Sequence, residues 1–264
     1  VLHHTTYHHK DSQEWVTFIH GAGGSSSIWY KQLRDFKKHF NVLLIDLRGH
    51  GKSKKPLYEK LKSYTFDSIG DEVIEVLDYL KIEKTHYVGI SLGTIIIREL
   101  TERFPERTSS MILGGAIMKL NLRGRVLMRL GVLLKSVVPY IFLYKFFAFI
   151  IMPRKTHKES RSLFVNEARK LYQQEFKRWF TLAASIRPLL KLFRIKDSGI
   201  PTLYVMGSED HMFLPAVEKL VSHHVSATLL VVPECGHVVN VEQPQIFNEK
   251  TIGFLKNLQR KDSK

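Results

Sequence analysis

The sequence predicts an α/β fold in which a doubly wound, mostly parallel sheet carries an inserted helical cap. Three observations lead there. Short apolar runs without polar alternation fit strands covered on both faces. Helical patterns separate those runs, as in strand–helix–strand architectures. One long stretch, residues 117–200, breaks the alternation with helix-like sequence only. At 264 residues and 44% hydrophobic content, the chain can bury a sizeable core. The expected division is a core of residues 1–116 and 201–264 with the cap, 117–200, inserted in it.

The elements follow in order. HHTTYHH (3–9) reads as an N-terminal strand or a frayed arm. WVTFI (15–19) and NVLLIDL (41–47) are runs of β-formers that end in glycine-rich turns. HYVGI (86–90), SMILGGA (110–116), TLYVMG (202–207) and TLLVVP (228–233) repeat the style. Between them, FDSIGDEVIEVLDYL (66–80) sets Ile69, Val73, Val76, Leu77 and Leu80 on one helical stripe. LGTIIIRELTERF (92–104) is a second helix, and VEKLVSHH (217–224) and FNEKTIGFLKNLQR (247–260) are later ones. The KDSK tail reads as frayed.

The chemistry-bearing motif is Gly89-x-Ser91-x-Gly93, placed where HYVGI passes into a helix beginning at Leu92. Alone the pentapeptide is weak, since glycine-rich turns are common. A sharp strand-to-helix turn, however, strains its central residue and needs small neighbours two positions away on each side. Gly89 and Gly93 meet that need. Further along, HGAGG (20–24), DLRGHGKS (46–53), GSEDHMFLP (207–215) and CGHVVNVEQP (235–244) each follow an expected strand. With these motifs, the chain outside 117–200 resembles the α/β-hydrolase superfamily, in particular its serine esterases and monoacylglycerol-lipase-like members.

The resemblance implies a Ser91–His237–Asp210 triad, in the chain order Ser, Asp, His typical of that fold. Ser91 is the expected nucleophile, His237 the base and Asp210 its orienting acid. Glu209 is adjacent and chemically able, but the spacing from Gly207 favours Asp210. HGAGG looks like an oxyanion loop, with the backbone N–H groups of Ala22 and Leu92 as expected donors. Arg48 and His50 read as turn and packing residues. Thr94 departs from the small residue usual after the second glycine. The implied activity is cofactor-independent hydrolysis of carboxylic esters with apolar or lipid-like acyl groups. Thioesterase, lactonase and acyltransferase activities use the same apparatus, and a ligand-binding sensor of the same fold is the alternative from another class.

No cofactor or metal is expected: His3, His4, His8 and His9 lack Cys or carboxylate partners at ligand spacing. Cys235 is the single cysteine, which excludes an intramolecular disulfide framework, and VLHHTTYHHK has no signal-peptide core. Both suggest a cytoplasmic protein. Its net charge of +15 is concentrated between Lys119 and Ile200, where eighteen Lys and Arg face only Glu159, Glu167, Glu175 and Asp197. Residues 131–152 are as long as a membrane span, yet they contain Lys135, Pro139 and Lys145. A single crossing there would also separate Ser91 from Asp210 and His237. The composition instead suits a lid lining an acyl pocket, its outer face peripheral to an anionic membrane. No motif supports a nucleic-acid partner.

Overall fold

The computed structural model describes residues 1–54, 64–134 and 137–262. Lys135 and the last two residues of the KDSK tail lie outside that set. Among the described residues seven strands form one sheet. They are β1 (His4–Tyr7), β2 (Trp15–Ile19), β3 (Asn41–Ile45), β4 (Thr85–Ile90), β5 (Thr108–Gly114), β6 (Thr202–Gly207) and β7 (Ala227–Val232). Their spatial order is β1-β3-β2-β4-β5-β6-β7. HHTTYHH therefore holds a strand rather than a frayed arm, pairing antiparallel with β3 at the edge. Every other pair is parallel.

Side-chain alternation along the central strands divides the core in two. Ile19, Leu43, Ile45, Tyr87 and Leu113 face one layer. Val16, Phe18, Val42, Leu44, Val88 and Ile112 face the other. Both faces are apolar because both are covered, which explains the unbroken hydrophobic runs. The first layer is completed by α2 (Phe66–Tyr79), α3 (Leu92–Arg103) and α9 (Leu214–Val221). The second is completed by α1 (Tyr30–Phe36), α10 (Val239–Glu242) and α11 (Pro244–Asp262). Helix α1 was not expected from the sequence. Helix α9 starts three residues ahead of VEKLVSHH because Pro215 suits a first helical turn.

Between β5 and β6 run α4 (Leu122–Leu134), α5 (Tyr140–Ile151), α6 (Lys158–Ala168), α7 (Gln173–Ala184) and α8 (Arg187–Ile195). Pro139 caps α5, so residues 140–151 of the apolar stretch form one short helix, while 131–134 belong to the end of α4. Among the described residues no helix is long and apolar enough to cross a membrane. A small core of Leu143, Tyr144, Ala168, Phe176 and Phe180 holds these helices together.

The strand order reverses between β2 and β4, and loops leaving carboxyl ends on either side of such a point form a crevice. The loop after β3 is pinned to α2 by a buried ion pair. Arg48 Nη2 lies 2.8 Å from Glu72 Oε1, both side chains almost fully buried, and Nε donates to Glu72 Oε2 at 2.9 Å. Trp179 of α7 donates to the Arg48 carbonyl at 3.0 Å, which ties the inserted helices to the same loop. Glu72→Ala would remove the carboxylate from a buried ion pair, so it is expected to lower stability by about 3–5 kcal/mol. Urea unfolding measures this, and a loss below about 1 kcal/mol would show that the pair does not anchor the loop.

Candidate active site

Ser91 sits between β4 and α3 with φ +54° and ψ −122°, a conformation that is strained for a residue with a Cβ. The surroundings hold it there. Its N–H donates to the Gly114 carbonyl at 3.0 Å, and its own carbonyl accepts from Thr94 N at 3.0 Å and Thr94 Oγ1 at 2.6 Å. A Cβ at Gly93 would lie 2.5 Å from the Ile19 carbonyl oxygen, so only glycine lets α3 start this close to the end of β2. At Gly89 a Cβ would run into the Ile97 side chain and lie 3.1 Å from the Gly93 carbonyl carbon. Thr94 is thus accommodated by a purpose: its hydroxyl secures the turn.

The loops after β6 and β7 bring Asp210 and His237 to Ser91. His237 Nε2 is 2.9 Å from Ser91 Oγ, and His237 Nδ1 is 2.8 Å from Asp210 Oδ2. The carboxylate can only accept, so Nδ1 carries the proton and the Nε2 lone pair faces the hydroxyl. Asp210 and His237 are both buried. The second Asp210 oxygen accepts from Phe213 N at 3.2 Å, and the Phe213 ring lies 5.1 Å from the imidazole. Gly115, at φ +51°, leaves room for the His237 backbone, which a side chain there would strike.

Glu209 takes no part in that line. Its carboxylate binds Arg154 and accepts from His157 Nε2 at 2.7 Å. Cys235 is buried, and burial pushes its thiol well above the usual range, so it is an inert packing group.

The HGAGG segment is braced by two buried histidines. His20 Nδ1 donates to the Gly21 carbonyl at 2.7 Å while Nε2 accepts from Leu47 N at 3.0 Å. His50 Nδ1 donates to the Arg48 carbonyl at 3.0 Å while Nε2 accepts from Gly23 N at 2.9 Å. Both patterns require neutral imidazole. Burial holds the His20 pKa below its ordinary value and takes that of His50 down to about 3. Tyr144 of α5 donates to the Ala22 carbonyl. A Cβ added to Gly21 would lie 3.7 Å from Leu92 N, so the Ala22 and Leu92 segments stand side by side. Leu92 N–H opens α3 and has no partner within the helix.

Sequence reading missed the contacts that come from the inserted helices. His157 is buried beside both loops that carry Asp210 and His237. Besides Glu209, it lies 3.8 Å from Glu242 Oε2, which accepts from Gly236 N at 2.6 Å. One imidazole therefore hydrogen-bonds the residue before Asp210 and packs against Gly236, the residue before His237. Ser25, next to the HGAGG segment, donates to Glu167 of α6 at 2.8 Å. No local pattern around 144, 157 or 167 marks these partners, because each lies more than fifty residues away in the chain.

The His50 brace has a pH consequence. Unfolded, its imidazole titrates near 6.5, whereas folded it stays neutral down to about 3. The unfolded state therefore binds the extra proton first, and stability present above pH 6.5 is lost as pH falls toward 3. Replacing the imidazole by an amide, His50→Asn, is expected to flatten the dependence between pH 6 and 4 by about 1.4 kcal/mol per pH unit. Denaturant midpoints across that range test this; an unchanged slope would show that His50 is not held neutral.

Comparison with known proteins bears on the family of the chain. The α/β-hydrolase fold family matches residues 14–244. 3-Oxoadipate enol-lactonase 2 of Acinetobacter baylyi is 28% identical over 265 residues, covering 97% of this chain and 93% of that protein. MenH from S. aureus has a similar structure, with a TM-score of 0.80 at 18% identity over 97% of this chain and 99% of that one. A hydrolase from Pseudomonas aeruginosa PA01 gives a TM-score of 0.78 at 23% identity, over 96% and 93%. The family match spans most of the chain, including β2 to β7 and the Ser91, Asp210 and His237 loops: this protein belongs to the α/β-hydrolase family.

Proposed function

We propose that the protein is a serine hydrolase that cleaves carboxylic esters, open-chain or cyclic, through an acyl-enzyme. The observation that carries this is the hydrogen-bonded line from Asp210 through His237 to Ser91 at a strained turn. His237 Nε2 takes the Ser91 proton as Oγ bonds to the ester carbonyl carbon, and the carbonyl π electrons move onto oxygen. The Leu92 and Ala22 N–H groups receive that oxyanion at the start of α3, where the helix dipole favours negative charge. Collapse breaks the bond to the alcohol oxygen, which leaves with the proton from His237. Water, deprotonated by His237, then attacks the acyl carbon; His237 returns that proton to Ser91 Oγ, and the acid departs. Asp210 keeps the imidazole oriented and stabilises its cationic form.

Two features bear on the substrate. The related enol-lactonase bears the name of an enzyme acting on a lactone, which is a cyclic ester. The Phe213 ring beside His237 gives the site an apolar neighbour, which suits an apolar acyl chain. A chain-length series of nitrophenyl esters and small lactones would rank these substrates.

Intact-mass analysis after a fluorophosphonate probe tests the nucleophile. One adduct is expected on the wild type and none on Ser91→Ala, with ester turnover in the variant falling by about a millionfold and its Tm near the wild-type value. An unlabelled wild type, or a fully active variant, would overturn the assignment. The imidazole clamp gives a second expectation. His157→Ala should lower kcat by roughly 10- to 100-fold through misplacement of the two loops, with KM little changed. Partial recovery in His157→Gln would separate lost positioning from lost folding, whereas an unaltered kcat would show that the clamp is not needed.

A further inference from the structure

The outer faces of α4 and α5 are unlike the rest of the surface. Leu122, Val126, Leu130 and Leu133 of α4 are exposed at spacings of i, i+4, i+8 and i+11, with Leu133 73% accessible. On α5, Phe142, Phe146 and Phe149 repeat this at i, i+4 and i+7, with Phe142 60% accessible. These spacings form one stripe per helix. The stripes lie opposite the sides that pack inward, Met128 and Val132 on α4 and Leu143, Tyr144 and Ala148 on α5. Seven large apolar side chains thus meet water although each helix already has a buried face.

Charge accompanies them. Neither helix contains an Asp or Glu. Arg125, Arg129 and Lys145 are exposed among the apolar residues, and Lys145 Nζ lies 5.8 Å from the Phe142 ring centre. Next to the α4 stripe an open cleft of about 410 Å³ has an apolar floor that includes Met128 and Val132, while Arg125, Arg129 and Arg187 line it too. Apolar floor and guanidinium rim match an acyl chain and its phosphate headgroup.

We propose that α4 and α5 form a docking face for an anionic lipid bilayer. At 13 and 12 residues, the helices are roughly 20 Å long. They are too short for a hydrocarbon core of about 30 Å, so they lie in the plane of the interface. Their Leu and Phe side chains enter the acyl region while Arg and Lys meet phosphates. A second copy of the chain would bring two strongly basic surfaces together, and a nucleic acid would leave the Leu and Phe stripes without an apolar partner. The same α5 whose Phe side chains face the lipid reaches inward with Tyr144 to the Ala22 carbonyl. The bilayer would therefore sit one helix away from the candidate site. This proposal does not depend on the hydrolytic reading.

Vesicle sedimentation tests it, using the full chain with phosphatidylcholine alone and with 30% phosphatidylglycerol. Binding to the anionic vesicles is expected to exceed binding to neutral ones by roughly tenfold or more and to fall steeply as salt is raised. Phe142→Ser/Phe146→Ser/Phe149→Ser should lose most of the binding at low salt while keeping its circular dichroism. Arg125→Gln/Arg129→Gln should weaken the anionic preference, and Ser91→Ala should bind like the wild type. Equal binding to both vesicle types would overturn the proposal, as would full binding by the triple Phe variant. A wild-type dimer that the Phe substitutions convert to monomer would assign the face to a second copy instead. Displacement from vesicles by duplex DNA, with the Phe variant still binding that DNA, would assign it to nucleic acid.

Discussion

The approach of α3 to the end of β2 is the constraint on which the rest of the site depends. With Gly93 against the Ile19 carbonyl, the helix can begin immediately after Ser91, and Ser91 must then take a positive φ. That single backbone state directs the hydroxyl away from the sheet and toward His237. It also leaves the Leu92 N–H at the start of a helix, beside the Gly21–Ala22 segment. The strain, of order 1–3 kcal/mol for such a residue, is offset by bonds from Thr94 and to Gly114. A parallel sheet supplies the rigid frame, since its strand ends cannot shift independently of their neighbours.

Histidine serves three distinct purposes within this small region. His20 and His50 are kept uncharged so that each can donate and accept at once, fixing a glycine-rich loop that has few side chains of its own. His237 keeps one nitrogen toward a carboxylate and the other toward a hydroxyl. His157 lies between carboxylates and joins two loops. The backbone of the loops is flexible by composition, and the imidazoles, with their two opposed nitrogens, are what order it.

Much of this was legible in the sequence because it is local. Unbroken apolar runs reported strands covered on both faces, and Gly89, Ser91 and Gly93 reported a turn whose geometry admits few side chains. Asp210 could be preferred over Glu209 by spacing, and the structure gives the neighbouring carboxylate a different partner, His157. What stayed hidden is long-range. Tyr144 on Ala22, Trp179 on Arg48 and Glu167 on Ser25 pair residues more than a hundred positions apart, and no periodicity encodes them. Helix α1, only seven residues long, gave too little pattern to read. The exposure of Phe142, Phe146 and Phe149 was equally hidden, because an apolar helix reads the same whether it faces a core or water.

The insertion between β5 and β6 has a further consequence, for the time at which the fold can close. The edge of β5 that pairs with β6 must wait for more than eighty intervening residues to leave the ribosome before its partner exists. During that interval the nascent chain displays an open strand edge together with helices whose small core is incomplete. Both are adhesive surfaces. Folding of this chain is therefore most vulnerable not at its ends but in the middle of synthesis, when the serine-bearing half is already built and the half that supplies Asp210 and His237 has yet to appear.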